Sequence, residues 1–189
     1  MENKNKSIMI PLIISLIALG TGIWLIEYSA WGMSGLRDIA PLAELPDTIS
    51  SPTFKKYYKN FNNMGEEGRA FYLSNIRLID TFFPFLYAFP LYLGILAAMR
   101  RMTKINLVRK LVPSIAFIPV IFDLLENHYL HSLALNFPNM DEDLVQLIIF
   151  ITSAKAISLR LIFFAVIAYW IIIGMLSLIS KYSKKIKQH

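Results

Sequence analysis

Four long apolar runs separate the charged residues of this chain: Ile8–Ile26, Thr81–Met99, Leu111–Phe122 continuing to about Leu130, and Leu161–Ile179. A bilayer core of ~30 Å needs about 20 helical residues. The first, second and fourth runs reach that length without an ionisable residue. The third reaches it only by carrying Asp123 and Glu126 along. Helices this apolar all round belong in lipid. The pattern therefore predicts an all-α integral membrane protein, a four-transmembrane-helix bundle with spans at about 7–28, 78–99, 111–130 and 157–180. The chain reads as a single membrane domain over 1–189, with segment 29–74 forming an outside cap between spans one and two.

Inside the cap, Pro41, Pro46 and Pro52 break the first half. Ser50-Ser51-Pro52 predicts a helix start with proline in the first turn. Phe54, Tyr57, Tyr58 and Phe61 then share one face, with Lys55, Lys56 and Lys59 on the other side. That amphipathic helix is expected to pack on the bundle as a lid. The stretch "GEEGRAFYLSNIRLID" (65–80) extends span two outward. Gly20 and Gly22 offer close helix approach in span one, and Trp24, Tyr28 and Trp31 form an interfacial belt. The last helix should run from about Leu144 to Ser180, capped by Asp141 or Asp143. At 1.5 Å per residue it is ~54 Å long, so its first third, 144–154, projects beyond the hydrocarbon or lies on the cap.

Charge changes the picture by its placement. The net charge is +6, but Lys4, Lys6, Arg100, Arg101, Lys104, Arg109, Lys110, Lys181, Lys184, Lys185 and Lys187 all flank apolar runs. Four spans put every one of these flanks on one side. The positive-inside rule then places both termini and the 100–110 loop in the cytoplasm. These residues read as topology signals and lipid-headgroup contacts, and no nucleic-acid partner is expected. Membrane lipids are the expected partners, with a homo-oligomer or other membrane subunits as further ones. The first run is longer than a signal-peptide core and reads as an uncleaved span. The chain has no cysteine, so it has neither disulfides nor thiolate metal sites. No cofactor is expected. No metal is expected either: His128 and His131, near Glu126, sit at the outer boundary as interfacial histidines, and no further strong ligand joins them.

Polar residues inside the runs carry the candidate chemistry. Asp123, Glu126 and Asn127 are spaced i, i+3, i+4 and share one helix face, which His131 extends. A charge at hydrocarbon depth costs at least ~2.5–3.5 kcal/mol, so this face must look inward and find partners. Counting helical rise puts Asp80, Arg160 and Lys155 near the same outer level. Arg160 is expected to reach Glu126, with Lys155 or Arg77 serving an upper layer. Tyr87 follows Asp80 at i+7 and could donate to a span-three acid. The expected site is an outward-opening polar cluster of Arg69, Tyr72, Arg77, Asp80, Tyr87, Asp123, Glu126, Asn127, Lys155 and Arg160.

Three motifs on these residues, "GEEGRAFY" (65–72), "DTFFPFLY" (80–87) and "DLLEN" (123–127), resemble a pattern in small bacterial four-span membrane proteins. That pattern is G-x-x-G-R-x-x-Y, D-x-x-F-P-x-x-Y and D-x-x-E-N, followed by a lysine near the last span, where Lys155 stands. It covers Gly65 to about Arg160. The resemblance implies a multi-pass protein of the bacterial plasma membrane and no particular reaction. Claudins share the four-span plan, but "WGMSGL" (31–36) is not their motif; the likeness to sterol-isomerase-type proteins is topological only.

Three functions fit the sequence. The first is binding, with possible modification, of an amphipathic lipid-like ligand. Asp123 or Glu126 would be its general acid or base, and Arg77 and Arg160 would hold an anionic headgroup. The second is a non-catalytic accessory or assembly subunit in which the charges fix helix packing. The third is a transporter or proton-relay component.

Overall fold

A computed structural model describes residues 2–103 and 105–186, with side-chain surroundings for 10–103, 105–173 and 175. Lys4, Lys6, Lys104, Lys181, Lys184, Lys185 and Lys187, which carry much of the charge asymmetry, lie outside that side-chain description. Among the described residues the fold is helical throughout. The helices are α1 (Glu2–Tyr28), α2 (Met33–Ile39), α3 (Phe54–Phe71), α4 (Arg77–Met102), α5 (Asn106–Leu111), α6 (Ile118–Leu135) and α7 (Glu142–Ile186). A 3-10 turn at Pro46–Thr48 lies between α2 and α3, and a second 3-10 stretch, Val112–Phe117, leads into α6.

Three helical bodies are long and apolar enough to cross a membrane: α1 with α2, the continuous α3–α4 unit, and α7. None of the residues in the most apolar stretch of α7 is buried. Ile157, Leu161, Phe163, Phe164, Ile171 and Ile172 are all exposed on it, a far larger apolar surface than a monomer keeps in water. The 18-residue α6 is not among the three. Asp123, Glu126, Asn127, His128 and His131 dilute its hydropathy. Proline also divides its run. Pro113 and Pro119 lack the N–H groups that a continuous α-helix needs, and the chain takes 3-10 geometry up to Phe117.

α1 packs along α4, where a Cβ added at Gly22 would meet Leu86 and Phe83. Gly20 faces open space instead. At the far end of the bundle, Arg109 donates from Nε to the Thr103 carbonyl and from Nη2 to the Arg100 carbonyl at 3.4 Å. These bonds satisfy carbonyls left open where α4 ends. The Arg101 guanidinium lies 4.9 Å over the Trp170 ring, and the Tyr169 hydroxyl donates to the Ala98 carbonyl at 3.3 Å.

The main core sits at the opposite end, under segment 29–76. Tyr57, Phe61 and Met64 of α3 pack with Leu130 and Leu133 of α6 and with Val145 and Ile148 of α7. The cap helix is thus part of the core, and Tyr58 is left half-exposed on its rim. Helix α3 begins at Phe54 rather than at the proline. Thr53 is its N-cap, and its hydroxyl accepts from the Lys56 N–H at 3.3 Å. Inside α3, Gly65 adopts φ 63° and ψ −171°, a region essentially confined to glycine. The kink separates 54–64 from a second piece that runs through a π-turn, Tyr72–Ile76, into α4. Asp141 caps α7, its carboxylate accepting from the Asp143 N–H at 2.9 Å. The N-terminal part of α7 lies on the cap core rather than projecting free.

Candidate functional site

Three consecutive turns of α6 present Pro119 and Val120, Asp123, then Glu126 and Asn127 to the interior. The carboxylates face α7, where Thr152 and Lys155 stand at i and i+3 on one stripe. Lys155 is the hub. Its ammonium pairs with Glu126 Oε2, with Asp123 Oδ1 at 3.3 Å, and with Asp47 Oδ2 at 3.8 Å. Glu126 Oε2 has no aligned hydrogen bond besides that ion pair, while Oε1 meets the Thr152 hydroxyl. That hydroxyl also lies 2.9 Å from the Ile148 carbonyl; its single proton serves one acceptor at a time. Tyr87 of α4 donates to Asp123 Oδ2 at 2.9 Å. Asn127 Nδ2 donates to the Asp80 carbonyl at 3.0 Å, tying α6 to α4.

The cluster is graded in depth. Side-chain exposure falls from 23% at Asp47 through 16% at Lys155 and 11% at Asp123 to 0% at Glu126. Asp47 comes from the 3-10 turn of the cap, so the cap closes over the cluster with an acid of its own. Asp80 and Tyr72 lie within electrostatic reach of these groups. Three carboxylates thus share one ammonium, with a fourth nearby.

This geometry corrects the sequence reading in several places. Asp47 lies over the cluster, and Glu126 is sealed beneath it. Arg160 is exposed and forms no ion pair among the described residues. Five residues beyond Lys155, it sits ~140° around the helix, at 100° per residue. Arg69 is turned to structural use: Nη1 donates to the Phe61 carbonyl at 2.8 Å and the guanidinium lies 4.5 Å over Phe137. It stitches the two pieces of α3 across the Gly65 kink. Arg77 lies near His131 and pairs with no acid among the described residues. Tyr72 is buried with its ring 6.4 Å from Phe61. The structure brings together Asp80, Tyr87, Asp123, Glu126, Asn127 and Lys155, and it adds Asp47 and Thr152. His128 is exposed and rests edge-on against Tyr129, away from Glu126.

Asp47 carried no periodic signal because it lies in a turn. Thr152 had a weak one: it is the hydroxyl one turn before Lys155, on the same face. No protein-family model, curated protein or solved structure matches this chain.

Proposed function

We propose that the protein is a multi-pass membrane protein, both termini cytoplasmic, that binds an amphipathic lipid-like ligand at the Lys155 cluster. We further propose that the ligand's headgroup is cationic. The carrying observation is the charge imbalance. Asp47, Asp123 and Glu126 share the Lys155 ammonium, and no other lysine or arginine pairs with them among the described residues. Buried carboxylates need counter-charges or protons. A primary or tertiary amine on an apolar tail supplies the missing cation and covers the exposed apolar faces beside it. The arginines that would have suited an anionic headgroup, Arg77 and Arg160, stand apart from the acids. In an enzymatic version, Asp123 is the better acid–base candidate. It is less sealed than Glu126 and already shares a proton donor, the Tyr87 hydroxyl.

Binding requires the Asp47–Lys155 contact to open. The test compares the thermal stability of purified protein with dodecylamine and with dodecyl sulfate of equal chain length. The amine should stabilise the wild type and lose its effect in Asp123→Asn and Glu126→Gln. Stabilisation by the sulfate alone would overturn the proposal.

A second reading has its own support. The cap-to-bundle contact of Asp47 with Lys155 and the closed packing around Glu126 suit an accessory subunit whose charges fix helix register. In that case neither amphiphile stabilises the protein, and Glu126→Gln is rescued by Lys155→Gln.

A further inference from the structure

A second polar feature lies in the cap, away from the Lys155 cluster. A cavity of about 410 Å³ opens between loop 42–50 and α3. That volume is in the range of small-molecule sites. Lys56, Lys59, Asn60 and Asn63 line it at i, i+3, i+4 and i+7, one stripe of α3. Side chains of this stripe hold the loop by bonding to its backbone. Asn60 Oδ1 accepts from the Glu44 N–H and Nδ2 donates to the Glu44 carbonyl, both at 2.9 Å. Asn63 Nδ2 donates to the Leu42 carbonyl at 3.2 Å, and Lys56 Nζ to the Ser50 carbonyl.

These bonds use the two amides and one lysine to shape the cavity. They leave the Lys59 ammonium and the Glu44 carboxylate uncommitted, since neither forms an ion pair among the described residues. Lys56 keeps two further N–H donors. The cavity therefore offers two cations on the helix side and one carboxylate on the loop side. Leu42, 77% exposed, gives an apolar ledge at its mouth.

We propose that this cavity binds a zwitterionic phosphoethanolamine headgroup, with the phosphate on Lys56 and Lys59 and the ammonium on Glu44. A phosphate has several strong acceptor oxygens and can take both ammonium groups at once. The cation must be a hydrogen-bonding primary ammonium: none of the lining residues is aromatic, and a quaternary ammonium is held by aromatic faces. The Leu42 ledge accommodates the start of an acyl chain. This site is independent of the Lys155 cluster, and either can fail alone.

The test uses the full chain in nanodiscs of equal phosphatidylethanolamine, phosphatidylcholine and phosphatidylglycerol, with retained lipid read by native mass spectrometry. Phosphatidylethanolamine should be enriched about tenfold over the other two, a 1.4 kcal/mol preference. Lys59→Gln and Glu44→Gln should each abolish the enrichment at unchanged melting temperature, because both side chains are exposed. In a second arm, soluble glycerophosphoethanolamine is titrated against thermal stability. Stabilisation there means the free headgroup suffices, and enrichment without it means the lipid form is the ligand; both support the site. Equal retention of the three lipids, or a Glu44→Gln variant that keeps the preference, would overturn it.

Discussion

Glu126 has no solvent exposure and depends on Lys155 and Thr152 for everything its carboxylate needs. Removing one partner of a buried pair costs about 3–5 kcal/mol. Lys155→Gln should therefore lower unfolding stability in detergent by that order, more than Asp47→Asn, whose side chain is partly wet. Tyr87→Phe removes a hydrogen bond to a charged acceptor and should cost about 1.5–3 kcal/mol, read in the same melts. His131 adds a pH dependence. Burial, with Arg77 and His128 nearby, holds its imidazole below the ordinary range. A base depressed in the fold is stabilising while neutral, so stability is full above the unfolded pKa of ~6.5 and falls as pH drops below it. His131→Asn should flatten the difference between melts at pH 7 and pH 5.5. At this scale the sequence was informative where helical phase applied. Asp123, Glu126 and Asn127 form one stripe at any depth, and Tyr87 points along the stripe of Asp80. The partner on α7 was harder to read. Lys155 and Arg160 both fit a count of rise, and only the angle around the helix, set by which face meets α6, chooses Lys155.

Helix α3 is where element-level rules met tertiary packing. The i, i+3, i+4, i+7 aromatic face was legible, and it is the face that joins the core. The kink at Gly65 was not, because a lone glycine in a polar helix gives no sign of its φ. Space around Gly65 is open, so Gly65→Ala isolates backbone strain from packing. It should destabilise the protein by about 1–3 kcal/mol, seen as a lower melting temperature and faster hydrogen exchange across 61–69. Arg69 shared a stripe with Tyr72 and so looked like a site residue; the kink turns it back onto the Phe61 carbonyl. The π-turn at Tyr72–Ile76 buries both of its end residues, and local pattern has no signature for that extra residue. The third apolar run carries Pro113 and Pro119. Their combined effect, a 3-10 stretch and a short α6, follows from two missing N–H donors six residues apart.

Among the described residues, exposed apolar side chains run along α1, α4, α6 and α7, while the polar cluster and the cap share one end. Three helical bodies long enough to cross a bilayer were legible from run length alone. The cap's role was less so: loop residues such as Asp47 gain meaning only when the chain folds back onto α7. Loss of that contact should loosen the cap as a unit. Asp47→Asn is expected to raise hydrogen exchange in 42–53 while leaving α4 and α7 protected. Trp24, Tyr28 and Trp31 are exposed at the same end.

The sign of the ligand's charge is the central claim, and Lys155 tests it most directly. Binding of a labelled long-chain amine is measured by equilibrium titration in nanodiscs, for the wild type and for Lys155→Gln, each checked for folding by circular dichroism. If the amine completes an acidic centre, removing the resident ammonium should tighten amine binding about tenfold, or 1.4 kcal/mol. Unchanged or weaker amine binding by folded Lys155→Gln would contradict the account.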